Sequence, residues 1–490
     1  MGWSKFGAAL QTVSPTSLSV GSSNLQQNLT IATSANTPVG QHTLTLKAAS
    51  GSIERTATIT LIVNQAASFT VNTTADTIDA DPGNGQCADS NNNCSLRAAV
   101  MEANALGTPA IINLPAGTYT LTRTSSIDEQ GDDLDLKSNI TLRGADRDAT
   151  ILDGNNATRV VQVYSGKTAV LENLTVQRAP QSASAVWNDS GSLTLKDVVV
   201  KNNGGYGVYN DGTATLSNVT ISNNSGNGFY NYRGTATLSN VTISNNNGTG
   251  FYNEYATATL SNVTISNNNG TGFYNEYATA TLSNVTISSN GGTGFNSYAG
   301  TATLSNVTIS NNNGTGFYNN QYATATLSNV TISGNSTTGS GGGIYNYGTL
   351  NIAFSTITNN TASRGGGLRI AGGTVKLKGV ILAGNTATSN VGPECEGTLT
   401  SNGYNLIKSN ADCSFTRDST DILNQDPSLG PLADNGGPVQ THLPNAGSPV
   451  LDRVPAAACT DLSNNVLSTD ARGVARPQNG SCDIGAVERN

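Results

Sequence analysis

The chain has 490 residues, only 11% of them charged and 54 of them glycine, with a formal net charge of −8 and two histidines. An acidic balance without Lys/Arg clusters excludes nucleic acid and anionic membrane surfaces as partners, and no apolar run reaches the roughly 18 residues that a membrane-spanning helix needs. Length alone predicts two or three domains unless a repeat absorbs much of the chain.

Met1 to Leu10 lacks the apolar core of a signal peptide. Alternating residues then predict strands at Ser17 to Val20, Asn28 to Ile31, His42 to Lys47 and Thr56 to Val63. The run T-P-V-G-x-x-T-L-T-L-x-A followed by T-A-T-I-T-L-I-V resembles the second half of the immunoglobulin-like domains of bacterial surface proteins. Four strands are fewer than the about seven of a full sandwich. The expectation for residues 1–66 is therefore a partial domain, either shortened or completed by another chain through strand addition. The second alternative makes self-association, as a homo-oligomer or filament, one partner reading.

In residues 67–137, Ser95 can cap a helix whose Leu96, Ala99, Val100 and Ala103 make one apolar stripe, fit to close the open end of a coil stack. The sequence F-T-V-N-T-T-A-D-T-I-D-A-D-P-G-N-G-Q-C-A-D with C-S-L-R-A-A-V-M-E-A-N-A resembles the C-S-L-R-E-A module that begins many secreted bacterial β-helix proteins, with Ala98 in place of the usual Glu. Asp76, Asp79, Asp81 and Asp89 are weak calcium candidates, since oxygen-rich loops bind that ion; the spacing is not that of an EF-hand, and the expectation is solvated carboxylates with no cofactor. Asp128, Glu129, Asp132, Asp133 and Asp135 read as an exposed acidic loop.

Residues 138–390 are dominated by A-T-L-S-N-V-T-I-S, whose leucine recurs at Leu216, Leu238, Leu260, Leu282, Leu304 and Leu327, in steps of 22, 22, 22, 22 and 23. A fixed period of this size means stacked units that cannot bury their apolar faces alone. Alternation of small or apolar residues with Thr and Ser gives strands rather than helices, and Gly- and Asn-rich runs break each copy. The fold class predicted is all-β: a right-handed, single-stranded parallel β-helix of roughly ten to twelve coils, about 50–60 Å long at strand spacing, with near-identical copies over 212–349. Inward columns are the Ala, Leu, Val, Ile and Phe series beginning at Ala214, Leu216, Val219, Ile221 and Phe229. Asn218, Asn240, Asn262, Asn284, Asn306 and Asn329 are expected to form a corner ladder, because Asn tolerates left-handed backbone and stacked amides bond to one another.

Two surface series stand out. Tyr209, Tyr230, Tyr252, Tyr274, Tyr318 and Tyr345 each follow an inward residue and so point outward, as a stripe for surface glycans, for chain-to-chain packing, or simply for stiffening the sheet. A second series, Tyr232, Tyr255, Tyr277, Tyr298, Tyr322 and Tyr347, lies two or three residues on. Thr213 and Thr215, repeated in every copy, resemble the T-x-T face of ice-binding β-helices.

β-Helices include pectate lyases and polygalacturonases, which need paired carboxylates or a carboxylate with a base. Between 202 and 350 the only charged residues are Asp211, Arg233, Glu254 and Glu276. Glu254 and Glu276 fall one period apart, yet no Arg, Lys or His accompanies them. The sequence therefore predicts no enzyme and no catalytic residue, but a structural or adhesive solenoid, with polysaccharide binding or cleavage and ice binding as alternatives.

Residues 391–490 carry G-P-E-C-E-G, D-P-S-L-G-P-L-A-D-N-G-G-P-V-Q and D-A-R-G-V-A-R-P-Q-N-G-S-C-D-I-G-A-V-E, and resemble the choice-of-anchor Q region of bacterial surface proteins, which implies a C-terminal cap and no catalytic role. The six cysteines fall in close pairs, Cys87/Cys94, Cys395/Cys413 and Cys459/Cys482, without zinc-site spacing. Local disulfides and an extracellular or cell-surface location are expected.

Overall fold

The computed structural model describes residues 12–14, 30–32, 40–50, 53–63, 65–124 and 130–489. The chain divides into two compact units, residues 1–67 and 68–490. In the first, Gly40–Ser50 and Ile53–Val63 form an antiparallel hairpin with Leu44 opposite Ile59, and Thr12–Ser14 pairs with Thr30–Ala32. The strand expected at Ser17 to Val20, the first two residues of the one at Asn28 to Ile31, and Asp128 and Glu129 lie outside the described residues.

The second unit is an all-β right-handed parallel β-helix of about 12 turns. Two sheets run its length, one of 22 strands and one of 13 short strands. The alternation of T-A-T-L-S explains the first. Thr257 and Thr259 are exposed while Ala258 and Leu260 are fully buried, and each pairs in register with its equivalent one coil away. At Asn218, Asn240, Asn262, Asn284, Asn306 and Asn329 the backbone turns left-handed, at φ 54–56°, and the strand resumes as V-T-I-S on a new face. Four of the five amide steps along this corner are hydrogen-bonded coil to coil, such as Asn284 Nδ2 to Asn262 Oδ1 at 3.1 Å.

The 13-stranded sheet is built from F-Y-N. Phe229, Phe251, Phe273, Phe295 and Phe317 stack inside at 4.8–5.1 Å between centroids, fully buried. Each such ring contributes about 1.5–3 kcal/mol by leaving water. Two internal amide ladders accompany them. Asn188, Asn210, Asn231, Asn253 and Asn275 run down one side of the core, and Asn203, Asn224, Asn246, Asn268, Asn290, Asn312, Asn335, Asn360 and Asn385 down another, all but the last less than 2% exposed. Asn246 Nδ2, for example, donates to Asn268 Oδ1 at 2.9 Å and to the Ile221 carbonyl at 3.2 Å, so a buried polar group is satisfied by the coils beside it. The turn that brings the chain back to the short strand leaves no room for a side chain: a Cβ on Gly250 would lie 2.5 Å from Ile265 Cγ2.

The helix Leu96–Leu106 covers the first coils. Ser95 accepts from Ala98 N at its start and Gly107, at φ 64°, ends it. Burial extends beyond the apolar stripe, because Arg97 is buried too: it pairs with Asp76 at 2.6 Å and donates to the carbonyls of Gly131, Asp132 and Asp133.

The last 65 residues do more than close the far end. They fold back along the outer V-T-I-S face, where Thr308 Oγ1 donates to the Gln440 carbonyl (2.6 Å), Asn329 Nδ2 to the Thr469 carbonyl (3.0 Å) and Ala486 N to Thr356 Oγ1 (3.1 Å). Outward Thr and Ser of these coils are consequently buried, whereas Ser244 and Ser266 of the earlier coils are only half-buried. Cys87–Cys94, Cys395–Cys413 and Cys459–Cys482 are bonded.

Candidate functional site

The outer face of the 13-stranded sheet carries the tyrosine stripe. In register it reads Asp135, Gln162, Trp187, Tyr209, Tyr230, Tyr252, Tyr274, Asn296, Tyr318, Tyr345, Arg369 and Glu396. Tyr230, Tyr252 and Tyr274 are half-buried and stack face to face at 4.8 and 4.9 Å. Their faces are occupied by one another, so this stretch shows solvent only ring edges. The stacking fails at both ends. Asn296 interrupts it after Tyr274, and Tyr318 meets Tyr345 at 63°. Before it, Tyr209 meets Tyr230 at 82° and Trp187 meets Tyr209 at 83°.

Where the ladder breaks on the N-terminal side, a groove of about 460 Å³ opens, lined by Arg159, Trp187, Tyr206, Tyr209, Ser182 and Ser184 among others. Arg159 lies over the Trp187 ring at 4.3 Å, and the buried indole Nε1 has no hydrogen-bond partner among the described residues. Gly204, Gly205 and Gly226 keep the floor low, since a Cβ on any of them would meet backbone of the previous coil or a tyrosine ring within 2.1–2.6 Å.

Two positions after each stripe residue runs a column of carboxylates. Asp189 and Asp211 follow the inward Asn188 and Asn210 on adjacent coils, then Tyr232, Glu254, Glu276 and Tyr298 pair in register. Glu254 accepts from the Tyr230 hydroxyl and Glu276 from the Tyr252 hydroxyl. Burial, reinforced by those carboxylates, pushes the Tyr230 and Tyr252 phenols well above their usual range; it pushes Tyr209 and Tyr274 up to about 12. Burial also raises the Asp211 carboxyl, opposed by Arg233 and helped by Asp189. No hydrogen bond or ion pair to either aspartate side chain is seen among the described residues.

The second tyrosine series divides in two. Tyr232 and Tyr298 end strands beside the glutamates, while Tyr255, Tyr277 and Tyr322 occupy the next turn with left-handed backbone, φ 48–67°, and are 52%, 47% and 81% exposed. The threonine array lies on the T-A-T-L-S face, exposed in both columns from Thr213 to Thr303. The calcium candidates are each engaged by other donors: Asp76 by Arg97 and the Thr122 and Arg123 amides, Asp79 by the Asp81 and Ala88 amides, and Asp89 by the Asn91 and Asn93 amides, while Asp81 accepts from the Asn84 amide. Among the described residues no three His, Cys, Asp or Glu side chains converge on one point.

Sequence reasoning missed Arg159, Trp187, Asp189 and Tyr206. Their signal was departure from the repeat: they lie in the coils just before the near-identical copies, where unlike residues can meet.

The family described as right handed beta helix region matches residues 183–274, 208–354 and 252–420. No curated protein matches the chain. Among solved structures the chain is similar to pectate lyase Pel9A (14% identity, 87% of this chain and 97% of that one, TM-score 0.37). It is also similar to the A-module of the Azotobacter vinelandii mannuronan C-5 epimerase AlgE6 (14%, 68% and 94%, 0.38) and to the catalytic domain of a GH87 alpha-1,3-glucanase (15%, 74% and 71%, 0.33). These likenesses concern the fold. The expectation that the chain is no enzyme is corrected all the same, because the fold it shares with a lyase, an epimerase and a glucanase does not support that exclusion. The physical reason is that repetition excludes an asymmetric site only within identical copies, and the groove lies where the copies diverge. By its fold this chain is a right-handed parallel β-helix protein.

Proposed function

We propose that the protein is a polysaccharide-active β-helix that takes a sugar chain into the groove at Trp187, Tyr206 and Tyr209. The observation that carries this is the break in the tyrosine ladder, which turns ring surfaces and hydroxyls into an open cleft suited to stacking against the apolar faces of sugars while bonding their hydroxyls.

Asp189 and Asp211 support cleavage of the bound chain. Each directly follows a strand, Val186–Asn188 or Val208–Asn210, on adjacent coils, and the coil spacing of about 4.8 Å is compatible with the roughly 5 Å carboxyl separation of retaining glycosidases. Burial raises the Asp211 carboxyl, the direction that suits a general acid. The test is incubation with a panel of neutral and acidic polysaccharides, following new reducing ends and unsaturated products. Release that falls by about 100-fold or more in Asp211→Asn, with binding retained, is expected; a panel without binding or product sinks the reading.

A second reading, surface display for adhesion or self-association, draws on the exposed Tyr255 and Tyr277. The three disulfides support an oxidising compartment for either role, outside the cell or at its surface. Light scattering that shows monomers at every concentration counts against self-association.

A further inference from the structure

We infer that the face continuing from the groove is a track for an uncharged glycan, with Tyr255 and Tyr277 as its outer contacts. This rests on the groove as the entry to a polysaccharide site.

Ring contacts are unbroken from the groove outward: Trp187 to Tyr209 at 6.3 Å, Tyr209 to Tyr232 at 6.3 Å, Tyr232 to Tyr255 at 6.4 Å, Tyr255 to Tyr277 at 5.3 Å and Tyr277 to Tyr298 at 5.4 Å. They span six coils, about 24 Å along the axis at strand spacing, room for several sugar units. Unlike the half-buried ladder beside them, Tyr255 and Tyr277 are about half exposed.

Their backbone sets these rings apart from the residues that suit such a turn. Each occupies a left-handed turn, at φ 50° and 48°, where a side chain other than Gly, Asn or Asp is disfavoured. Elsewhere this chain places Asn at left-handed corners again and again: Asn218, Asn240, Asn262 and Asn284 at one, Asn223, Asn245 and Asn267 at another. At the turn bordering the track the successive copies carry Arg233, Tyr255, Tyr277, Ala299 and Tyr322 instead, all left-handed and none of them Asn or Gly. Strain retained against an available remedy marks a functional position.

Charge names the class of ligand. From the coil of Trp187 to that of Tyr298 the column beside the rings carries Asp189, Asp211, Glu254 and Glu276, against Arg233 in the adjoining turn and Arg159 in the groove, the latter paired with Asp133. A column of four carboxylates running beside the rings repels a polyuronate over a range of about 8 Å, the Debye length at physiological salt. The same oxygens accept hydrogen bonds from the hydroxyls of a neutral sugar, two of them already doing so for Tyr230 and Tyr252.

The experiment is calorimetric titration of the full chain with soluble neutral glycans (xylan, mixed-linkage glucan, glucomannan) and with polygalacturonate and alginate. It compares wild type, Trp187→Ala and the double variant Tyr255→Asn/Tyr277→Asn. Since Asn relieves the turn, the double variant should melt no lower than wild type, so that lost binding is not lost folding. Expected are neutral-glycan binding weakened about 10-fold or more by the double variant, and no uptake of the uronate polymers. Tighter binding of a polyuronate, or neutral-glycan binding indifferent to the double variant, overturns the track while leaving the groove. Binding of no glycan at all overturns both.

Discussion

Single residues in this molecule are defined by the coil above and the coil below. Asn268 is the clearest case, because its amide bonds both to Asn290 Oδ1 (3.0 Å) and to the Ile243 carbonyl (3.1 Å) in a buried column. Asn268→Ala leaves the neighbouring amide and carbonyl without partners and should cost about 1–3 kcal/mol in denaturant titration. The corner amide Asn262 faces solvent, so Asn262→Gly, which keeps the left-handed turn, should change stability by only a few tenths of a kcal/mol. His442 gives a pH signature. Its Nε2 meets Ser333 Oγ at 2.8 Å, its Nδ1 meets the Gly430 carbonyl at 2.7 Å, and burial holds its pKa below the ordinary 6.5. A histidine kept neutral in the fold favours folding above its unfolded pKa, and that contribution is lost as pH falls below about 6.5, because the unfolded chain takes up the proton first. Buried Glu394, Asp483 and Glu488 are raised by burial and act in the opposite sense. The comparison that isolates His442 is therefore the change in melting temperature between pH 7.5 and 5.5: the loss should be smaller in His442→Gln than in wild type.

At the level of elements, the coil is the unit that folds and the unit that can be removed. Deleting residues 257–278 joins Ala256 to Thr279, a junction identical in sequence to the one at Tyr277-Ala278-Thr279. That variant should give the same circular dichroism spectrum per residue and a melting temperature within a few degrees. Removing 11 residues instead breaks the register of every inward column and should abolish the cooperative transition. The Leu, Ile and Phe columns and the corner asparagines could be read from the sequence because a period of 22 makes each column visible as a repeated letter. The buried Asn203-to-Asn385 ladder repeats as plainly, but an Asn beside Gly reads as turn chemistry until its burial is seen. The left-handed tyrosines could not be separated from Tyr232 and Tyr298, because one residue of offset decides between strand end and turn. Trp187, Asp189 and Arg159 belong to no column of identical letters, and only the fold brings them to one groove.

For the whole molecule, the described β-helix is stapled at both ends of its length. The N-terminal helix is held by the Arg97–Asp76 pair, and the C-terminal stretch lies along the coils from Thr308 to Gly379. Reducing the disulfides should lower the melting temperature chiefly by freeing this C-terminal stretch, so protease cleavage should appear first after residue 425 while the repeats stay protected. The stack between these ends is regular, and its irregular coils near the start provide the asymmetry a reactive site needs. The central claim is that a polysaccharide occupies the groove beside the broken tyrosine ladder. It is tested most directly by a crystal structure of the protein with a bound oligosaccharide. The account predicts sugar rings against Trp187 and Tyr209, with Asp189 and Asp211 alongside; a sugar bound instead on the threonine face or the C-terminal stretch, with the groove empty, would contradict it.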